Sequence, residues 1–351
     1  MNKKILAVAI PAVLLASNVS AYEVFSSDEG SVEVYGQLRA KLTKDEGKDI
    51  KLDDGSSRAG VNATYTVNEY FDVLGAIEYS LADEFKNRYS YIGASGDWGK
   101  VTIGKQYLTA DDLWGVDNSY FYGGSHIVEG TISGGKHDSS VRYVFENDDF
   151  YVDASYAFAE DDANPEVFEL FGRVNVAGFD VTAGVSQATQ GHAAFELKDG
   201  DTVVGKIPAG ELEDFYHTVW VERTFGDLSV GVQYASSKIE SDAIDMELDR
   251  TGYGLALSYG LSEKSSVYGG YEFSEYDVKD AASSVLESND ATLVYLGAVH
   301  KFNSFFRVYG EAAYADGTTA GFTNNKNDWT VAAGATADSE MKYAIGARVY
   351  W

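Results

Sequence analysis

Short segments that alternate apolar and polar residues run through most of this 351-residue chain, broken by turns rich in Gly, Asn and Asp. In an early segment Val32, Val34, Gly36, Leu38, Ala40 and Leu42 share one face, with Glu33, Tyr35, Gln37, Arg39 and Lys41 on the other. Further on, Tyr253, Leu255, Leu257, Tyr259 and Leu261 alternate with Gly252, Gly254, Ala256, Ser258 and Gly260. A period of two is the spacing of a β-strand with one apolar face. From residue 31 onward the pattern predicts sixteen strands, at 31–43, 57–67, 71–82, 87–96, 100–107, 138–146, 150–159, 166–176, 179–190, 214–225, 228–238, 249–261, 265–276, 289–302, 305–314 and 340–351.

Alternation alone fits two architectures. In a water-soluble sandwich the apolar face looks inward; in a membrane barrel it meets lipid and the polar face lines a lumen. The gaps between segments separate the two. Those after even-numbered strands are tiny (Asn68 to Tyr70, Asp97 to Gly99, Asn147 to Asp149, Gly226-Asp227, Asn303-Ser304), and most of those after odd-numbered strands are long. Short turns at one end and long loops at the other belong to an up-and-down barrel rather than a Greek-key sandwich. Rings beside the short turns, at Tyr70, Phe71, Trp98, Phe150, Tyr151, Phe179, Phe225, Phe302, Phe305 and Trp351, fit an aromatic girdle at one membrane interface. Pro165 and Pro208 fall in long gaps, where no ladder hydrogen bond is lost. The expected fold is all-β, a 16-stranded antiparallel transmembrane barrel with a lumen wide enough for water.

One stretch breaks the rhythm. From Leu108 to His137 the alternation lapses around Asp111, Asp112 and Asp117, the rings Trp114, Tyr120, Phe121 and Tyr122, and two Gly pairs, including Gly123-Gly124. A long loop in a compact fold is usually functional or disordered, and so many aromatics oppose disorder. It reads as a functional loop folded against something.

The start of the chain is an export leader: Lys3 and Lys4, an apolar run from Ile5 to Leu15, and a small-residue cleavage site ending at Ala21. This divides the chain into a signal segment, 1–21, and a single barrel domain, 22–351. Cysteine is absent, so an exported chain relies on its hydrogen-bond ladder and packing. Without the leader's lysines, 25 basic side chains stand against 55 acidic ones, a balance that repels nucleic acid and favours cations near the openings.

In Val34-Tyr35-Gly36, Ser57-Arg58-Ala59-Gly60, Arg88 to Gly93, Gly104-Lys105-Gln106-Tyr107, Gly123-Gly124, Val141-Arg142-Tyr143 and the ending Tyr343 to Trp351, the chain resembles the general diffusion porins of Gram-negative outer membranes. The resemblance extends over the whole mature chain. It implies a homotrimer in the outer membrane, in contact with lipid and lipopolysaccharide, that passes small hydrophilic solutes with no cofactor and no enzymatic activity. It also implies that the third extracellular loop folds into the lumen, hinged near Gly123 and Gly124. That loop would set Asp117, helped by Asp111 and Asp112 and with Glu78 on the wall, against basic residues Arg39, Arg58, Arg88, Lys105 and Arg142. Alternation independently puts Arg58, Arg88 and Arg142 on the polar face. Outward-facing Tyr343, Ile345, Ala347 and Val349 keep the rhythm of the signal read by the barrel-insertion machinery, and the terminal ring of that signal is Trp351 where phenylalanine is customary. Departures include Phe121 where related loops carry glutamate, Gln37 where lysine is common, and a very short second loop around Asp83 to Lys86, which weakens the usual latch between subunits.

Bland readings stand beside these. The three arginines could simply stiffen the wall. The loop rings could form a stacking track for sugars, making a sugar-selective channel, or could pack the loop against the barrel. His126 and His137 share the loop without metal-ligand spacing to a third residue, and no nucleophile–base motif is readable. Acidic loop clusters such as Asp45, Glu46, Asp49, Asp53 and Asp54 could hold divalent cations or be solvated surface. Within transport the first reading is a cation-preferring diffusion channel; a secreted adhesin or lectin is the alternative from another class.

Overall fold

The computed structural model describes residues 22–351 apart from 83–84, 114, 125–134, 161–164, 200–201, 244, 281–288, 318–319, 325–328 and 334–336. The leader, Trp114 and His126 therefore lie outside the described residues. Sixteen strands form the wall: β1 (Gly30–Asp45), β2 (Arg58–Asn68), β3 (Phe71–Ser80), β4 (Asn87–Gly96), β5 (Gly99–Tyr107), β6 (Lys136–Glu146), β7 (Phe150–Ala157), β8 (Glu166–Val176), β9 (Phe179–His192), β10 (Gly210–Phe225), β11 (Leu228–Ser241), β12 (Met246–Ser262), β13 (Ser265–Asp280), β14 (Asn289–Lys301), β15 (Phe306–Gly317) and β16 (Ala337–Tyr350). Each pairs antiparallel with the next, and β16 returns to β1 from Gln37↔Tyr350 to Asp45↔Lys342, so the sheet closes. Closure matters because an unpaired backbone group in hydrocarbon costs several kcal/mol.

The sixteen expected strands correspond one to one with these. Two features were not legible. Tyr22–Ser27 adds a short strand along the start of β1, pairing Tyr22↔Val34 through Ser27↔Gly30, below the point where β16 ends. Six exposed residues beside a leader offer no face for periodicity to find. Hairpins at Phe195–Asp199 with Thr202–Ile207, and at Ala320–Asn324 with Trp329–Ala333, lie within two long extracellular gaps.

The faces sort as alternation requires. Ile92, Leu296 and Ile345 look outward and are 72%, 67% and 66% exposed, whereas Gln37, Glu78, Thr102 and Gln106 are buried on the inner side. Glycine allows the closest approach at the seam, where the Trp351 ring lies over Gly36 and would collide with any Cβ there. The short turns are tied by side-chain oxygens: Asn147 accepts from Asp149 and Phe150, and Asn303 from Phe305 and Phe306, at 2.8–2.9 Å. Of the expected girdle rings, Tyr151 is a correction. It sits on the inner parity of β7, with its hydroxyl on Asp153 at 2.7 Å.

After β5 the chain enters the lumen through one helical turn, α1 (Thr109–Asp112), and its described residues continue without regular structure to Gly124. Its backbone cannot leave N–H groups bare, and the inner wall supplies the acceptors. Ala110 donates to Glu169 at 2.7 Å, Val116 to the Gln233 side chain at 2.9 Å, Tyr120 and Tyr122 to the two oxygens of Glu311 at 2.9 and 2.6 Å, and Gly124 to Glu272 at 2.5 Å. Thr109 fastens the entry, its hydroxyl on Asp153 at 2.8 Å and its N–H on Ser155 at 3.1 Å. These acceptors belong to β7, β8, β11, β13 and β15, so the loop tracks along that arc of the wall. Apolar seats reinforce the line: Leu113 and Val116 pack with Phe171 and Trp220, and Tyr120 and Tyr122 with Tyr268, Tyr295 and Tyr309.

A carboxylate acceptor makes each such bond stronger than a neutral one, and orphaning a buried donor costs roughly 1–3 kcal/mol. Glu311→Ala orphans two peptide donors at once. The expected outcome is a barrel that still folds, seen as heat-modifiable migration, with a larger single-channel conductance because the loop tip has come off the wall. An unchanged conductance would show that Glu311 does not hold the loop.

Candidate functional site

Inside the ring of strands lies a cavity of about 840 Å³ whose lining includes Arg39, Arg58, Glu78, Asp111, Asp112, Asp117, Arg142 and Arg348. Alternation accounts for their meeting: each wall residue has the inward parity of its strand, and the loop brings its carboxylates in from β5. Acidic loop residues lie along the β7–β15 arc, while Arg39, Arg58, Arg88 and Arg348 come from β1, β2, β4 and β16 on the rest of the wall.

Glu78 is the hub of the basic side. Its carboxylate, almost fully buried, accepts from Arg88 Nε at 2.6 Å and from the Tyr89 hydroxyl at 3.3 Å, and lies 3.7 Å from Arg58 Nε. Tyr35 and Tyr89 are joined hydroxyl to hydroxyl, and Arg88 also donates to the Tyr107 hydroxyl. Glu78, expected among the acids that face the basic wall, is here the direct partner of Arg88 and lies beside Arg58, so the three meet in one charged group.

Other placements differ. Asp117 lines the cavity, but its oxygens accept from Ser119 N–H at 2.7 Å, Ser119 hydroxyl at 3.1 Å and Tyr295 hydroxyl at 3.0 Å. It closes its own turn and does not pair with an arginine. Burial raises its pKa above the ordinary carboxylate value despite those hydrogen bonds. Arg142 does not face the loop from across the lumen. It binds Asp153 through a two-pronged contact, at 2.9 and 2.5 Å, and reaches Asp112 at the loop's root, so it works as part of the tether. Lys105 leaves the site altogether: it follows Val101 and Ile103 on the outward parity of β5 and pairs with Asp138 at 2.6 Å. A register shift between Gly104 and Gln106 marks its position.

Asp111 is wetted by the lumen yet enclosed by wall. That confinement, with the Asp112 carboxylate beside it, pushes its pKa up to about 6. Tyr120 and Tyr122 are buried in the wall, and Phe121 packs against the same cluster under the Lys41 ammonium, 4.0 Å from its ring centre. The described loop rings therefore hold the loop in place. Gly123 and Gly124 are docking points: the Gly123 N–H donates to Ser119 at 2.9 Å, and Gly124 takes a φ of 84° beside Glu272. Tyr343, Ile345 and Val349 stand exposed on the outer face of β16 with Ala347 between them. His137 is buried with Nε2 against the Pro165 carbonyl at 2.9 Å.

Sequence reasoning missed Asp153, Glu169, Glu272 and Glu311, the acceptors on which the loop rests. A signal was present: each acid stands mid-strand with a small or hydrophobic residue at both neighbouring inward positions, as Glu169 does between Val167 and Phe171 and Glu311 between Tyr309 and Ala313. Arg348 was overlooked although its parity with Ala344, Gly346 and Tyr350 points it inward.

Comparison with known proteins agrees with this architecture. The model of the Gram-negative porin family matches residues 6–320. Porin-like protein H of Photobacterium profundum is 28% identical, over 90% of this chain and 95% of its own. Among solved structures, in-vitro folded OmpT, an outer membrane protein of Vibrio cholerae, is 37% identical with a TM-score of 0.82, covering 94% of this chain and 100% of that one. A trimer form of the same protein is likewise 37% identical, with a TM-score of 0.81 over 92% of this chain and 100% of that one. A sealed barrel with lipid-facing apolar side chains, a wet charged bore and a loop lodged within it is what such a family member must be built from, and the chain belongs to the Gram-negative porins: an outer-membrane channel for the passive diffusion of small hydrophilic solutes.

Proposed function

We propose that this porin prefers cations, and that the preference arises chiefly at its mouths. The observation that carries this reading is a ring of exposed carboxylates on the short turns: Asp28, Glu29, Glu69, Asp97, Asp148, Asp149, Asp227 and Glu263, against Lys264 alone among the basic residues of those turns. Fixed charge of one sign around an opening raises the local concentration of the opposite ion. The narrow part of the bore contributes less, because its acidic loop residues face arginines of the opposite sign. That opposition instead sets up a field across the bore, in which water and small polar solutes can reorient while apolar solutes lose water contacts.

Further parts of the reading follow from the family and the fold. The leader is removed after Ala21, the mature chain assembles as a homotrimer, and the β16 face of Tyr343, Ile345, Ala347 and Val349, ending at Trp351, is presented to the barrel-insertion machinery. The trimer form of the similar Vibrio cholerae protein supports the second point. Burial of Tyr120 and Tyr122 speaks against a sugar-stacking track, and both ring nitrogens of His137 are engaged within the fold, which speaks against a catalytic role for it.

Exposed rim charges are screened over about 10 Å at 0.1 M salt but about 3 Å at 1 M. Zero-current potentials in a potassium chloride gradient should therefore give a clear cation preference near 0.1 M that largely fades near 1 M. Anion preference at low salt would reject the proposal, and a preference indifferent to salt would move its origin into the constriction.

Asp111 supplies a second test. A carboxyl whose pKa is raised to about 6 carries its charge above that value and loses it as pH falls through it. Cation preference should drop by a small step between about pH 7 and about pH 5, ahead of ordinary carboxylates near 4, and Asp111→Asn should remove the step. A step unchanged in that variant would assign it to another group.

Trimer assembly is checked by electrophoresis without heating. Migration at three times the mass of the heated chain is expected, and migration of the folded barrel as a monomer would contradict it.

A further inference from the structure

We propose that the bore carries a binding site for small oxyanions, the carboxylate or phosphate groups of permeating solutes, at Arg39 and Arg348. The site faces the lumen and so rests on the channel being water-filled, but not on which ion the mouths favour.

The argument begins with register. Arg39 on β1 lies directly opposite Arg348 on β16, and Arg348 directly opposite Arg307 on β15. Three arginines thus stand side by side on one inner row, with Arg58 of β2 acting on Arg39 as a further like-charged neighbour. Like charges directly opposite one another on adjacent strands destabilise a sheet. Three other arginines of the wall are balanced by carboxylates: Arg88 by Glu78, Arg142 by Asp153 and Asp112, and Arg250 by Asp214. Among the described residues, none of Arg39, Arg307 and Arg348 has a carboxylate within ion-pair distance.

Their neighbours are neutral. Arg39 donates to the Gln37 side chain at 3.0 Å and the Gly55 carbonyl at 3.4 Å. Arg348 donates to the Tyr120 carbonyl at 2.7 Å and lies 4.6 and 5.5 Å from the ring centres of Tyr120 and Tyr309. Arg307, 6% exposed, lies 4.4 Å from the ring centre of Tyr350, and its Nε has no partner among the described residues. Rings and carbonyls orient a guanidinium without cancelling its charge. A guanidinium has five N–H donors in a planar fork suited to carboxylate and phosphate oxygens, and these contacts leave several of Arg39 and Arg348 unused. Both side chains line the cavity, where a solute can reach them. Arg307 stands behind as buried charge that deepens the local positive potential.

Such a site does not contradict cation-favouring mouths. Rim charge acts on small ions before they enter, whereas the arginine row acts on a solute already in the bore, through paired charged hydrogen bonds that chloride cannot match in shape.

The test is conductance of the full-length mature protein in planar bilayers, with potassium held constant and chloride replaced stepwise by inorganic phosphate in one arm and by succinate in the other. The wild type should show saturating conductance and added current noise with the oxyanions but not with chloride, and the two arms tell which oxyanion the row holds. Arg39→Gln should weaken the half-saturation about tenfold, the scale of one lost charge-assisted hydrogen bond. Among the described residues the hydrogen bonds of Arg39 run to Gln37, Gly55 and Ser57 and none to the third loop, so this variant keeps the described loop contacts; Arg348→Gln should act in the same direction while also releasing the Tyr120 carbonyl. Lys105→Gln, on the outer face, should behave as wild type. Heat-modifiable migration verifies that each variant is folded. Absence of saturation in the wild type, or equal saturation in wild type and Arg39→Gln, would overturn the proposal. Reversal potentials are read separately, so failure here and failure of the cation preference are distinguishable.

Discussion

Backbone hydrogen bonding in a medium that offers no partners is the constraint on which this structure depends. The wall meets it by closure, strand by strand, until β16 returns to β1 and Trp351 exchanges hydrogen bonds with Gly36 at 2.9 and 3.1 Å. A greater difficulty is the segment from Leu108 to Gly124, which runs inside the bore with a single helical turn. Irregular backbone at membrane depth is tolerated only where it is buried in protein or lines water. Here the wall provides carboxylates at Glu169, Glu272 and Glu311 and an amide at Gln233 for peptide N–H groups of the loop. Acids whose inward placement suits them to attract ions are in part committed to holding the loop.

That division reorganises the electrostatics. A net charge of −28 suggests a uniformly acidic channel, yet much of the acid inside is engaged: Asp153 with Arg142 and Thr109, Glu78 with Arg88, Glu311 with two loop amides and the Tyr268 hydroxyl at 2.8 Å. What remains exposed is concentrated on the turns and outer loops, while inside the bore the acids of the loop arc stand across from an arginine row that has no carboxylate of its own among the described residues. Net charge therefore describes the approach to the pore better than its narrow part.

The barrel was legible because each stave repeats one physical rule. Leu38 and Leu42 face lipid, Gln37 and Arg39 face the lumen, and a one-residue slip would reverse every side chain, so alternation fixes both strand and face. Gap lengths then fixed the direction of the ends. The inner site was less legible, because parity says which way Asp117 or Arg142 points but not which partner it finds. Asp117 is claimed by Ser119, two residues away, and Arg142 by Asp153 across one strand pair, local competitors that capture a side chain before it can face the opposite wall. Lys105 failed for a different reason, since the neighbouring Gly104 and Gln106 look inward and a motif quoted as a block hides the outward residue between them. The loop acceptors were hidden by their ordinariness: an inward glutamate in a wet barrel calls for no explanation until a peptide N–H is found on it.

Amide hydrogen exchange within the third loop tests this account most directly. If wall carboxylates hold the backbone, the N–H groups of Ala110, Tyr120, Tyr122 and Gly124 should exchange as slowly as those of the neighbouring strands, although they belong to a loop with no ladder of its own. Exchange at the rate of a free loop would contradict docking, and with it the narrowed bore on which the reading of the channel stands.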